Sequence, residues 1–247
     1  MNETISTLLD HRSVRSFLDT PVTEEQLQAI VTAGQMASTS SNVQAYSVIA
    51  VTEPSLKRQL AILSGDQAYV EQCPLFLVWC ADLYRVCRTA GMYLSDQTTY
   101  EDSTESFMVA TVDTALAAQN AAVAAESMGL GICYIGGIRN RIAEVSELLR
   151  IPELAYPVFG MCVGVPDRKS GQRPRLPTEA VLHRNGYDPE MSLEAVKGYD
   201  VTMVRYLRER TEGRKSTPWS KIMAEWLARP NRLHMRAFLE DKGLLRK

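Results

Sequence analysis

At 247 residues the chain suffices for one large domain or two small ones, and 45% hydrophobic with 23% charged residues excludes disorder and collagen-like repeats. Its 27 Lys and Arg against 29 Asp and Glu leave a net charge of -2, without the basic excess that general nucleic-acid binding needs. The five cysteines (Cys73, Cys80, Cys87, Cys133 and Cys162) are odd in number and form no C-x-x-C pair, which argues against a disulfide framework or a zinc site and for reduced thiols and a cytoplasmic location.

The chain opens without a charged stretch leading into an apolar one, so no secretory signal is read. The nearest approach to a membrane-spanning run, 111–130, is interrupted by Asp113, Gln119, Asn120, Glu126 and Ser127. A short amphipathic stretch over 5–9 leads directly into His11-Arg12-Ser13-Val14-Arg15. Two forked guanidiniums, an imidazole and a hydroxyl, with no acidic residue interleaved, suit a doubly charged oxyanion. A solvated helix end accounts for them equally well, because cations favour the C-terminal pole of a helix.

Thr23, with Gln26 three residues on, reads as a capping box that opens a helix to about Met36, with Leu27, Ile30, Val31 and Gly34 on one face. Ser38-Thr39-Ser40-Ser41-Asn42 breaks that pattern and predicts an ordered loop, since short polar side chains bond nearby backbone. Strands are predicted over 46–51, 75–81, 132–135 and 158–165. Helices are predicted over 54–63, 106–128 and 142–149, with Gly129 closing the second and Pro152 stopping the third. Residues 92–104 lack any period and read as a mobile loop. The alanine-rich 106–128 segment is apolar around most of its circumference, which places it in a core or against another subunit. Beyond Pro166 the texture turns polar, and helices are predicted near 192–209, 219–227 and 233–242. With no internal repeat and no clean linker, the pattern predicts a single α+β domain over 1–247, its helical C-terminal embellishment starting at about 192.

Several chemistries are absent. There is no G-x-S-x-G, no H-E-x-x-H, no Walker loop and no G-x-G-x-x-G after a strand. His11, His183 and His234 lie near no cysteine or carboxylate cluster with ligand spacing, so no metal is expected. Either a cofactor carries the chemistry or there is none. Three donor-rich stretches stand out: 11–15, the four hydroxyls and amide of 38–42, and the glycine-rich 129–137. The last ends in Tyr134-Ile135-Gly136-Gly137, where paired glycines let backbone approach a planar ligand closely. Arg173-Pro174-Arg175 adds two cations on a stiff loop. Taken singly, each also reads as a capped loop, a plain turn or a solubilising surface loop.

Taken together and in order, His11-Arg12-Ser13-Val14-Arg15-Ser16-Phe17, the 38–42 run, Gly65-Asp66-Gln67, Ala125-Glu126-Ser127-Met128-Gly129-Leu130-Gly131, Tyr134-Ile135-Gly136-Gly137 and Arg173-Pro174-Arg175-Leu176-Pro177 resemble the FMN-dependent nitroreductases. The likeness is strongest to the NADPH-preferring branch of oxygen-insensitive nitroreductases and NADPH:FMN oxidoreductases, and it covers nearly the whole chain. It implies a nitroreductase-like α+β fold: a mixed β-sheet flanked by helices, in an interlocked homodimer with a C-terminal helical extension. FMN would lie in each of two clefts at the subunit interface.

Carried over residue by residue, the resemblance gives Arg12, Ser13 and Arg15, with His11 beside them, to the FMN phosphate and ribityl end. Thr39, Ser40 and Ser41 would line the flavin from the other subunit, and Gln67 would make a polar contact in the cleft. The stretch Tyr134, Ile135, Gly136 and Gly137 would bring backbone near flavin N5. Arg173 and Arg175 would form a second phosphate clamp, with Arg173 where the family often has lysine. Arg210, Arg214 and Lys215 match a segment that meets the NADPH 2′-phosphate, although Glu209 and Glu212 offset their charge. No side chain is expected to be catalytic, because the flavin is the catalyst. The implied function is ping-pong, two-electron, NADPH-dependent reduction of nitroaromatics, quinones or related small acceptors, with neither nucleic acid nor membrane as partner. The alternatives are an NADPH-dependent flavin reductase supplying reduced FMN to a partner, a specialised relative that fragments or dehalogenates its substrate, and a non-catalytic flavin-binding module.

Overall fold

The computed structural model describes residues 2–94, 97–168 and 170–247. The loop expected over 92–104 therefore falls partly outside the described residues. The backbone divides into two compact units, 1–170 with 232–247, and 171–231.

The first unit begins with α1 (Glu3–Leu9), capped by Asn2, whose side chain accepts the Ile5 N–H. Helix α2 (Glu24–Gln35) starts at Thr23 with both bonds of the expected capping box in place. Strand β1 (Tyr46–Val51) leads to α3 (Pro54–Leu63), where the Glu53 carboxylate caps the Ser55 and Leu56 amides. Next come α4 (Ala68–Gln72), β2 (Leu75–Asp82) and α5 (Tyr84–Ala90). Helices α4 and α5, of 5 and 7 residues, are too short for a helical period to register in the sequence. Helix α6 (Thr104–Ser127) is followed by Gly129 at φ +78, the left-handed position that ends helices. Strand β3 (Gly131–Ile135), helix α7 (Ile142–Leu148) and strand β4 (Ala155–Gly164) follow.

The four strands form one sheet in the order β1-β2-β4-β3, and every neighbouring pair runs antiparallel. The mixed sheet expected from the resemblance is thus antiparallel among its four strands. Its parallel component among the described residues is a single bridge, Ser13 to Ile132, where the N-terminal segment meets the outer edge of β3. Strand β2 is buried along its whole length because both faces of the sheet are covered. On one face Phe76, Val78, Cys133, Ile135 and Cys162 pack with Leu60 of α3, Val70 of α4 and Val145 of α7. On the other, Leu77, Trp79, Ile132 and Met161 pack with Ile30 of α2 and the alanines Ala117, Ala118, Ala121, Ala122 and Ala125 of α6.

By length and composition α6 is apolar enough to cross a membrane, beyond what the interrupted 111–130 run predicts; here its alanines lie against the sheet. The opposite stripe of α6, Met108, Val112 and Leu116 at helical i, i+4 spacing, is exposed.

The second unit holds α8 (Pro189–Arg210), capped by Asp188, and α9 (Trp219–Leu227). The Asp200 carboxylate of α8 accepts the Ser220 N–H at 2.8 Å, and the Tyr199 and Trp219 rings meet edge-on at 5.8 Å. Helix α10 (Met235–Asp241) belongs to the first unit, where Leu239 and Leu244 are buried with Tyr156 and Ala81.

Candidate active site

Helix α1 ends at Leu9 with Asp10 as its C-cap, and 11–15 continue outside the helix. The solvated helix end is therefore not what these residues form: the Val14 N–H donates to the Ile132 carbonyl at 2.8 Å, and Ser13 bridges Ile132. Alternation along such a segment sends Arg12 and Val14 to one side and Ser13 and Arg15 to the other. Arg12 pairs with the Asp10 carboxylate and donates to the Ser170 carbonyl at 3.0 Å, beside a cavity of about 430 Å³. His11 meets Glu126 through Nδ1 and Oε1 at 2.7 Å. Asp10, adjacent to the cluster, is thus the acidic partner that the 11–15 window leaves out.

On the other side the residues converge. The Arg15 guanidinium carbon lies 5.9 Å from the Tyr69 ring centroid. Burial raises the Tyr69 phenol above its ordinary value, with Arg15 pulling against that rise. The Cys133 thiol is likewise pushed up by burial, while Arg15 and Ser13 lower it. The Tyr69 hydroxyl donates to Gln67 Oε1, and Gln67 Nε2 donates to the Ser64 carbonyl at 2.6 Å. Asn140 Nδ2 reaches the same carbonyl at 3.2 Å.

Gly137 makes this arrangement possible. A Cβ there would lie 2.3 Å from both Gln67 Nε2 and the Ser64 oxygen, one of them backbone. Gly137→Ala is therefore expected to displace Gln67 and cost roughly 1–3 kcal/mol of stability as overpacking, read as a lowered urea midpoint. An unchanged midpoint would mean that the turn has room to yield.

Ile135 is buried on the same sheet face as Cys133, whereas the Tyr134 ring points to the opposite face. There it meets Phe159 edge-on at 5.0 Å, and burial raises its phenol. Gly136 adjoins a guanidinium that sequence reading missed: a Cβ on it would come 3.5 Å from Arg139 Nη2. Arg139 donates to the Val158 carbonyl, and Arg232 Nε donates to Asn140 Oδ1 at 3.0 Å. Burial and then the charge of Arg232 hold Arg139 below its ordinary value, and burial does the same for Arg232. Neither forms an ion pair with a carboxylate among the described residues.

Thr39, Ser40 and Ser41 occupy a separate loop containing a short 3-10 turn, Ser40–Asn42, with Ser41, Asn42 and Gln44 at φ 47, 57 and 53. Non-glycine residues rarely sit there, so something must hold them. Asp113 of α6, 1% exposed, accepts the Ser40 N–H at 3.0 Å and the Ala45 N–H at 3.2 Å.

The remaining candidates lie in the second unit. Arg175 Nη1 donates to the Arg173 carbonyl at 3.2 Å, and both arginines pull the Tyr199 phenol down against a larger rise from burial. Arg210 donates to the Tyr206 hydroxyl at 3.1 Å, Arg214 Nε to the Thr211 carbonyl at 3.0 Å, and the Lys215 amide to the Thr211 hydroxyl at 2.8 Å. All three are exposed.

The α+β scaffold thus gathers cationic and amide donors beside a glycine turn, an arrangement suited to an anionic cofactor. A family model described as the nitroreductase family matches residues 8–165, and one for that family's C-terminal domain matches 173–247. The chain is 46% identical over 248 residues to "FMN reductase (NADPH)" of Bacillus subtilis, covering 98% of each. It is 42% identical over 247 residues to "NADPH-flavin oxidoreductase" of Vibrio harveyi, covering 100% of each. The solved structure of NfrA1 from B. megaterium superposes with a TM-score of 0.96 at 47% identity, covering 99% of this chain and 100% of that one. The chain belongs to the nitroreductase family.

Proposed function

We propose that the chain is a homodimeric, FMN-dependent NADPH oxidoreductase that reduces flat small-molecule acceptors such as nitroaromatics, quinones or free flavin in two-electron steps. The observation that carries this reading is the run of contacts from Arg15 through Tyr69 and Gln67 to the Gly137 turn, with Ser13 and Arg15 both beside Cys133.

The residues present fit FMN. Arg15 offers a forked, permanently charged donor to a phosphate, and Ser13 offers a hydroxyl beside it. The space a Cβ would fill at Gly137 is taken by the Gln67 amide, which spends one N–H on the Ser64 carbonyl and keeps a second for a ligand. Bound FMN would supply hydride chemistry between NADPH and the acceptor. The chain's own part is to hold the cofactor and shape the charge around it. Arg139 and Arg232, which have no carboxylate ion pair among the described residues, favour anionic groups near the Gly136–Gly137 turn. Arg12, His11, Arg173 and Arg175 are assigned to the phosphate end, and Thr39, Ser40 and Ser41 to the flavin edge from the other subunit. The backbone from Tyr134 to Gly137 is assigned to the ring. Arg210, Arg214 and Lys215 present exposed cations to the NADPH phosphate.

Two findings support the assembly and the donor. The exposed Met108–Val112–Leu116 stripe on α6 is an apolar surface suited to cover by a second copy. The two curated relatives carry NADPH and flavin in their names. Their names also favour free FMN as one acceptor, the flavin-reductase reading. Steady-state NADPH oxidation, with free FMN or a nitroaromatic as sole acceptor under anaerobic conditions, tests the scheme. Parallel double-reciprocal lines are expected for both acceptors. Intersecting lines would contradict the shared-seat, ping-pong arrangement. FMN at a hundredfold excess over its Kd is expected to stabilise the protein by about 2.7 kcal/mol, read as a raised melting temperature.

A further inference from the structure

Tyr69 is not among the site residues that the resemblance implies, yet its hydroxyl bonds the Gln67 amide within the site. The Ser64 carbonyl can only accept, so the Gln67 group 2.6 Å away must be its NH₂. That choice turns Oε1 toward Tyr69, and a carbonyl oxygen there requires a donor. The phenolic O–H is that donor. Asn140 Nδ2, on the same Ser64 carbonyl, fixes the far end of the chain of bonds. Arg15 stands beside the Tyr69 ring, so a single hydroxyl lies between the phosphate-suited guanidinium and the amide at Gly137. The tyrosine is itself held: Tyr69 packs against the core on one sheet face, and its backbone carbonyl accepts from the Cys162 thiol at 3.5 Å.

We infer that Tyr69 is a positioning residue: its hydroxyl holds the Gln67 amide in place, so that Gln67 offers a fixed donor at the Gly137 turn. Without that hydroxyl the Ser64 carbonyl still selects the NH₂ end, but Oε1 loses its donor and the amide is free to withdraw from the Gly137 turn. The cofactor then meets a mobile group where the native site presents a fixed donor. The inference deepens the FMN reading above and rests on it.

The test uses Tyr69→Phe, Gln67→Leu and the double variant of the full chain, each stripped of flavin and titrated with FMN. Tyr69→Phe removes one oxygen and keeps the ring, so the apoprotein is expected to melt within a degree or two of wild type. Its FMN Kd is expected to rise about tenfold, the scale of one lost hydrogen bond. The double variant is expected to bind no more weakly than Gln67→Leu alone, because the hydroxyl acts only through the amide. The visible band of bound FMN in Tyr69→Phe should resemble that in Gln67→Leu and differ from wild type. Wild-type affinity in Tyr69→Phe, with weakening only in Tyr69→Leu, would reduce Tyr69 to packing and overturn the inference, as would strictly additive effects. Wild-type protein that takes up no FMN would overturn the cofactor reading itself, and this inference with it.

Discussion

Arg15→Ala is expected to weaken FMN binding by about 1.5–3 kcal/mol, roughly ten- to hundredfold in Kd, the loss of a charged hydrogen bond. Arg15 is exposed and forms no ion pair among the described residues, so the apoprotein should lose almost nothing in stability. Arg15→Lys keeps the charge but not the fork and should fall between the two. Arg12→Ala is a different case. Its guanidinium already serves Asp10 and the Ser170 carbonyl, so its removal should move the melting temperature as well as the affinity. Fluorescence titration of flavin-free protein separates these outcomes. Equal FMN affinity in Arg15→Ala and wild type would remove Arg15 from the phosphate site.

The second large effect falls on stability. Asp113→Ala leaves the Ser40 and Ala45 amides without their acceptor. The Ala45 amide is buried and the exposed Ser40 amide can turn to water, so the loss is set by the first and is about 1–3 kcal/mol, a large part of what holds a typical domain folded. The loop is strained at Ser41, Asn42 and Gln44, so its release should also abolish any contribution of Thr39, Ser40 and Ser41 to ligand binding. Urea denaturation followed by circular dichroism reads the loss, and Asp113→Asn, which retains one acceptor oxygen, should recover part of it. A wild-type midpoint in Asp113→Ala would mean that the loop is held by something other than this carboxylate.

What the sequence made legible follows the range of the interactions involved. The capping box at Thr23 is complete within four residues, and the α3 boundaries follow from Pro54 and the apolar spacing after it, so both are readable without the fold. The strands carry their own β-branched signature, and only their ends shifted, as at Ala155, where β4 begins before the run expected from Val158. The N-terminal basic cluster shows the opposite case. Its residues suit a helix end and a phosphate site equally until Ile132, far along the chain, supplies the bridge that extends it.

Tyr69 was hidden for another reason: nothing in the order Gln67-Ala68-Tyr69 reveals that the two side chains meet. Arg139 adjoins Asn140 in the sequence, but only the fold brings Arg232 to the pair. Asp113 did leave a trace, as a carboxylate in a helix otherwise rich in alanine. Its partners, the amides of Ser40 and Ala45, lie on a loop whose polar composition gave no hint of how it is pinned.

This chain is expected to hold FMN and to pass reducing equivalents from NADPH through it. The most direct measurement mixes the FMN-loaded protein anaerobically with NADPH, and separately with NADH, while the flavin absorbance band is followed in a stopped-flow instrument. Rapid bleaching by NADPH, slower bleaching by NADH, and return of the band when a nitroaromatic or quinone is added are expected. A yellow protein whose band neither nucleotide bleaches would contradict this expectation.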